Sequence, residues 1–257
     1  MMNYDIFLLV RLDSSRLPKK AMKEINKKPI IKYLINRLNR SKKVRNLVVC
    51  TTNKQSDDQL VNFLEEENIK YFRGSEHDIL VRLRDATIFF KSDFVVVVDG
   101  DDIYTDPYFV DMIIDEYEKT RADYIADDGF PHGFVPVGIT KNALEKICEV
   151  KISKNTETGY REFFTQTNLF NCRYLKPKNN IMIPKKLRLT LDYEEDFMLA
   201  KEIYKILGNY FHLEDIITLF KKQPKLIEII EGIDERWKLN FDKNITDLTL
   251  KSLEEKK

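Results

Sequence analysis

The sequence predicts an α/β fold, a mainly parallel sheet covered by helices on both faces, and three observations carry that reading. Four short runs, Asp5–Val10, Asn46–Thr51, Ile69–Phe72 and Phe94–Val98, are apolar almost throughout, as strands buried on both faces are. Each is followed by a segment whose apolar residues recur at helical spacing. Neither an internal repeat nor a clean linker divides the chain, so its 257 residues read as one large domain with an excursion in its second half.

Taken in order, Asp5–Val10 opens the sheet. Pro29 begins a helix to Leu38, with Ile30, Ile31, Leu34, Ile35 and Leu38 on one face. Asn46–Thr51 is the second strand, and Ser56–Glu67 the next helix, started by a Ser-Asp-Asp cluster suited to a helix N-terminus. Ile69–Phe72 is a short third strand. Glu76–Phe90 is helical, with Ile79, Leu80, Leu83, Ala86 and Phe90 in phase, and Phe94–Val98 is the most apolar strand. A helix over Tyr108–Lys119 leads to a strand at Asp123–Ala126. Residues 127–186 read as an irregular insertion with one helix at Lys141–Glu149. Leu187–Leu191 alternates like a strand. Helices follow at Tyr193–Leu207, Leu213–Lys222 and Pro224–Glu231. The domain is therefore drawn over residues 1–240, with 241–257 as a polar tail.

Composition excludes several classes. Lys and Arg number 43 against 42 Asp and Glu, a net charge of +1, which gives no global attraction to nucleic acid or anionic membrane. No apolar run reaches the length of a membrane span, and the first residues lack the pattern of a signal peptide. Three scattered cysteines and three distant histidines argue against a disulfide scaffold or a zinc site, and fit a reducing cytoplasm.

In open α/β sheets, ligands bind beyond the carboxyl ends of the strands, which selects the loops that matter. The loop after the first strand, Arg11–Lys20, holds two Arg, two Lys and two Ser. Such density of donors suits a polyphosphate, although a solvated basic loop has the same composition. The loop after the fourth strand, Asp99–Pro107, carries four carboxylates. Hard oxygens there suit Mg²⁺ or Mn²⁺ bridging substrate phosphates. Asp106, just before Pro107, is read as a helix cap. A third acidic cluster, Asp192–Asp196, follows the Leu187–Leu191 run. Asp192 pairs sensibly with Asp101 on a cation, and Asp196 is either a further ligand or part of a helix start. The Arg73–Arg82 segment either walls a base pocket or merely pairs Asp78 with Arg82 on a helix surface.

Four ordered motifs resemble the cytidylyltransferases that make CMP-activated sugar acids, above all the spore-coat polysaccharide protein F branch. They are Val10-Arg11-Leu-Asp-Ser14-Ser15-Arg16-Leu17-Pro18-Lys19-Lys20, Arg73-Gly-Ser-Glu-His-Asp78-Ile-Leu-Val-Arg82, Gly100-Asp101-Asp102-Ile103 and Arg188-Leu-Thr-Leu-Asp192-Tyr-Glu-Glu-Asp196-Phe197. Leu213-Glu-Asp-Ile-Ile and Gln223-Pro-Lys-Leu extend the likeness, which covers about residues 5–230. The sequence departs from the family by lacking Pro after Gly100-Asp101-Asp102. It also has Arg161-Glu162-Phe163-Phe164-Thr165 where the branch carries a histidine.

The resemblance implies a nucleotide-binding, Rossmann-like domain that transfers CMP from CTP to a sugar acid of nonulosonate or octulosonate type, releasing pyrophosphate for surface glycan biosynthesis. It implies that Arg11, Ser14, Ser15, Arg16 and Lys20 grip the triphosphate, with Arg16, Lys20 and Asp101 closest to the chemistry. Arg73, Ser75, Asp78 and Arg82 would shape the nucleotide pocket. Asp101, Asp192 and Asp196 would hold Mg²⁺ or Mn²⁺, and His132, Arg161 and Glu162 in the 127–186 insertion would meet the acceptor. By the same analogy the insertion builds a homodimer and the enzyme is cytoplasmic. Three rival readings remain. They are a phosphonate or phosphorylated small alcohol as acceptor, a GT-A-type glycosyltransferase using Asp99-Gly100-Asp101, and a catalytically silent nucleotide-binding subunit.

Overall fold

A computed structural model of the chain describes residues 2–178, 182–184, 187–245 and 247–251. Strand β1 (Tyr4–Leu9) is followed by a small hairpin, β2 (Glu24–Ile25) and β3 (Lys28–Pro29), and by α1 (Ile30–Leu38). Next come β4 (Asn46–Thr52), α2 (Asp58–Glu66), β5 (Lys70–Gly74), α3 (Ile79–Phe90) and β6 (Phe94–Asp99). The second half holds α4 (Pro107–Thr120), β7 (Tyr124–Asp127), β8 (Val137–Thr140), α5 (Lys141–Val150), the single turn α6 (Glu162–Thr165) and β9 (Cys172–Leu175). It closes with α7 (Glu194–Leu207), α8 (Leu213–Lys222), a 3₁₀ stretch at Pro224–Ile230 and α9 (Ile233–Asn244).

Seven strands make one sheet in the order β5-β4-β1-β6-β8-β7-β9. Strands β5, β4, β1 and β6 are parallel, while β8 runs antiparallel between β6 and β7. The apolar runs are explained by burial on both sides. Val96 and Val98 of β6 join Ile6, Leu8, Leu34 and Ile113 in one core, whereas Val95 and Val97 join Phe7, Val48, Leu83 and Leu144 in another. The chain winds outward from β1 to β4 and β5, then returns to place β6 on the other side of β1. Between β1 and β6 the direction of winding reverses, so the loops leaving these two strands face a common crevice.

Several expectations are corrected within the 127–186 insertion and beyond it. Strand β8 lies in that region, its four residues too few to show a period and interrupted by Gly138. That glycine is obligatory: a Cβ there would come within 2.4 Å of the Phe94 ring and 2.5 Å of Ile113. Strand β9 is equally hidden, because Arg173 and Tyr174 are exposed at the sheet edge and no apolar run marks it. Leu187–Leu191 alternates but is not a sheet strand; its residues 187–191 form only an isolated bridge, Arg188 to His132. Its backbone instead clips two loops together, Leu189 N–H donating to the His132 carbonyl at 2.7 Å and Leu191 N–H to the Asp101 carbonyl at 2.8 Å. The expected polar tail begins too early, since α9 runs through Asn244. Farther on, Ile152 N–H donates to the Thr249 carbonyl and Lys251 N–H to that of Val150. A helix with Ile233 as its buried residue offers sequence patterning little to detect.

Arg37 of α1 fastens the loop after β6 from below. Its buried guanidinium donates to the carbonyls of Tyr104 and Phe211 at 3.1 Å each and of Asn209 at 3.0 Å. It also stacks 3.9 Å from the Phe211 ring centre. The carboxylate-bearing turn thus rests on a fixed base.

Candidate active site

At the carboxyl edge of β1 and β6 opens a cleft of about 830 Å³. The loop from Arg11 to Lys20 forms one wall, and its shape follows from two buried leucines. Leu12 and Leu17 are 3% and 4% exposed. The Leu12 N–H also donates to the buried Asp57 carboxylate at 2.7 Å, which accepts from Thr51 as well. With its apolar residues turned inward, the loop presents Arg11, Ser14, Ser15, Arg16 and Lys20 to the cleft. It is not a plain basic surface. Opposite it, the Gly100 N–H donates to the Leu9 carbonyl at 2.7 Å. A Cβ at position 100 would sit 2.7 Å from that same oxygen. Glycine therefore lets the acidic turn fold directly against β1.

Three charged groups meet at the centre. Lys20 Nζ lies 2.5 Å from Asp101 Oδ2 and 3.0 Å from Asp192 Oδ1. Arg16 adds a 2.6 Å contact to the same Asp192 oxygen, and Arg188 holds the other at 3.2 Å. Burial alone would push the Lys20 ammonium down, but the charges of Asp101 and Asp192 outweigh it and hold it up. Burial likewise works against the Asp192 carboxylate, and Lys20 and Arg16 prevail to keep it low.

Asp196 lies elsewhere. It accepts from the Asp192 and Tyr193 N–H groups at 2.8 and 2.9 Å, closing the first turn of α7 as a capping box. Arg188 Nε donates to it at 3.1 Å. Its carboxylate does not line the cleft. Asp106 caps α4 as expected, accepting from the Tyr108 N–H at 2.9 Å. Asp99 is engaged by the Arg161 guanidinium at 2.6 Å and by the Tyr160 hydroxyl at 3.2 Å.

The Arg73–Arg82 segment divides. Arg73 is spent on Asp58 and on the carbonyls of Thr52 and Lys54. Ser75 accepts from the Asp78 N–H. Asp78 caps α3 and is held by Lys151 and the Thr156 hydroxyl. None of the three lines the cleft. Arg82 does, and it pairs across α3 not with Asp78 but with Glu157, at 2.7 Å. Glu157 also takes Arg11 at 3.1 Å. Sequence reading missed Glu157: a lone carboxylate in a polar insertion carries no pattern, and only the fold brings Arg11 and Arg82 to its two oxygens.

On the far side His132, Arg161 and Glu162 all line the cleft, joined by Trp237 and Phe241 of α9. The Trp237 ring meets His132 edge to face, centroids 4.5 Å apart, and stacks on Phe241 at 5.0 Å. Trp237, Asn240, Phe241 and Asn244 recur at helical spacing, a signal present in the sequence and hidden by the polar residues around it. Although His132 is exposed, desolvation by the protein around it, and then the charges of Arg188 and Arg161, push its imidazole down to about 4. A depressed histidine is protonated more readily in the unfolded chain. Wild-type stability should therefore be lost as pH falls from about 6.5 toward 4, relative to His132→Gln. Denaturation midpoints of the two proteins across that range measure it; parallel curves would contradict the assignment.

Among the described residues no three His, Cys, Asp or Glu side chains converge as a ready metal cage. Asp101 and Asp192 nevertheless form a cation site in miniature, since one ammonium already bridges them. That donor set fits Mg²⁺ or Mn²⁺, which take one or two carboxylates and complete their shells with phosphate and water.

A doubly wound sheet whose switch point carries an Arg/Ser/Lys loop facing two carboxylates defines a nucleotidyltransferase. The comparisons narrow the class. A family model described as cytidylyltransferase matches residues 6–255, and the chain belongs to that family. It is 26% identical to the spore coat polysaccharide biosynthesis protein SpsF of Bacillus subtilis, over 87% of this chain and 96% of that one. The solved structure of a cytidylyltransferase from Leptospira borgpetersenii is 27% identical and superposes with a TM-score of 0.78, over 88% of this chain and 97% of the other. The fold is shared with a CMP:2-keto-3-deoxy-manno-octonic acid synthetase solved with CTP, at 13% identity and a TM-score of 0.63, over 80% and 99% of the two chains. No helix among the described residues is long and apolar enough to cross a membrane.

Proposed function

We propose that this cytidylyltransferase transfers CMP from CTP to a sugar acid, of nonulosonate or octulosonate type, in surface glycan biosynthesis. The observation that carries the reading is the Lys20 ammonium standing between Asp101 and Asp192, with Arg16 on the same carboxylate. A hydroxyl oxygen of the acceptor attacks the α-phosphorus of CTP and gives up its proton to solvent, the bond to the bridging oxygen breaks, and pyrophosphate leaves with the electron pair. Such transfers depend chiefly on positioning and on fixed charge. Arg11, Ser14 and Ser15 offer donors to the triphosphate along the loop, while Arg16 and Lys20 meet charge that builds on the departing pyrophosphate. A divalent cation at Asp101 and Asp192, when bound, supplies further neutralisation of the phosphates. Arg82, held by Glu157, orders the nucleotide side of the cleft. Arg161 and His132 face the acceptor, one cationic and one neutral, which suits an acid. Support for the glycan setting comes from the spore coat polysaccharide biosynthesis protein named above, and for the acceptor class from the motif likeness to enzymes that make CMP-activated sugar acids.

Pyrophosphate release from CTP, measured against a panel of 2-keto sugar acids, phosphonates and phosphorylated small alcohols, tests this. Release is expected with a sugar acid and a divalent cation present. Turnover confined to phosphonates or phosphorylated alcohols would replace the acceptor class while leaving the nucleotide chemistry intact.

A further inference from the structure

Helix α9 belongs to the cleft more than to the core. Its one buried residue is Ile233, and a twelve-residue helix with so little packing gains little stability by itself. Tethers hold its first half to the start of α7 and to the segment before it. Asp234 meets Arg188 at 3.4 Å, and Arg236 pairs with Glu195 at 2.7 Å while lying 4.4 Å over the Tyr193 ring. Its far end abuts the opposite wall, where a Cβ at Gly159 would touch the Ile245 side chain at 2.9 Å. The helix thus runs along the cleft from the Asp192 side to the 159 side. Trp237, Asn240, Phe241 and Asn244 line it at spacings of three and four.

The character of that inner face is specific. Trp237 and Phe241 stay half-buried in a cleft lined mainly by polar residues, so their rings offer apolar area that the fold itself leaves partly uncovered. Beside them stands an amide at Asn240. Lys243 also lines the cleft and has no ion-pair partner among the described residues, unlike Arg11, Arg16, Lys20, Arg82 and Arg161, each of which has one. An aromatic face flanked by an amide and a spare cation complements a molecule with an apolar ring face, hydroxyl edges and one negative charge.

We infer that the inner face of α9 is the acceptor subsite. The ring of the sugar acid lies on Trp237, Asn240 bonds its hydroxyls, and Lys243 meets its carboxylate. The assignment rests on the acceptor class proposed above and extends it to residues that select among acceptors.

The test uses the full chain, CTP, a divalent cation and the sugar acid that best supports turnover. Trp237→Ala and Lys243→Ala should each raise the acceptor KM about tenfold or more while the CTP KM stays within about twofold. Trp237→Phe should keep most of the affinity. Trp237 is the sole tryptophan, so its emission should shift saturably with the acceptor and not with CTP alone. If the wild type turns over the sugar acid and both alanine variants do so with unchanged acceptor KM, the subsite is wrong and the acceptor class stands. An equal rise in the CTP KM would also overturn it. If no sugar acid supports turnover, acceptor class and subsite fall together. Should Trp237→Ala fail to fold, Lys243→Ala, an exposed position, decides alone.

Discussion

Lys20→Ala is expected to lower kcat/KM for CTP by roughly two to three orders of magnitude, the usual cost of removing a fixed charge from a developing anion. The same change has a second, opposite effect. In the free protein the ammonium neutralises Asp101 and Asp192, and the divalent cation proposed for those oxygens would have to compete with it. Without Lys20 these carboxylates are left with less positive charge nearby, so the metal concentration giving half-maximal activity should fall even as the maximal rate collapses. Initial rates across a Mg²⁺ titration read both quantities. A variant with near wild-type turnover would show that Lys20 is only a structural clasp. A variant needing more metal than the wild type would show that ammonium and metal do not share the carboxylates.

Asp101→Asn, Asp192→Asn and Asp196→Asn should separate three roles that the sequence alone leaves entangled. Asp101 is partly exposed and has Lys20 as its ion-pair partner. Its amide variant should stay folded and lose most activity. Asp192 is 2% exposed and receives Lys20, Arg16 and Arg188. Removing its charge leaves the buried Arg188 guanidinium short of one partner. We expect a loss of roughly 2–4 kcal/mol, on the order of 10 °C in Tm, together with inactivity. Asp196→Asn should be destabilising and still active, because its carboxylate closes α7 and does not face the cleft. Melting curves and pyrophosphate release on the three proteins decide the matter. Equal activity in all three would remove the metal role from Asp101 and Asp192, and an inactive but stable Asp196→Asn would restore Asp196 to the ligand set.

What could be read in advance follows from how each element is stabilised. Strands β1, β4 and β6 are buried on both faces, and a continuous apolar run is visible without any partner. The basic loop and acidic turn could be placed because both leave such strands. The hidden parts depend on distant contacts. Strand β8 is a strand because β6 lies beside it, and α9 is a helix tethered at its ends to α7 and to the cleft wall. Motif likeness put Arg73, Ser75 and Asp78 with the nucleotide, whereas in the structure Arg73 ties together the 52–58 segment, and Ser75 and Asp78 fix the start of α3 against Lys151 and Thr156. A sequence motif records which residues are needed together without saying which of them face the ligand.

The clip between the 187–191 segment and the Asp101 turn bears on when the enzyme becomes competent. Asp101 and Lys20 are 81 positions apart, and Asp192 is a further stretch away, 172 positions from Lys20. A nascent chain has the Arg11–Lys20 loop and most of the parallel sheet long before Asp192 is made. Contacts so distant in sequence carry a loop-closure cost that local contacts do not. A chain that ends before Asp192 therefore carries only part of the charge constellation, Lys20 and Asp101 without the carboxylate that Arg16 and Lys20 share.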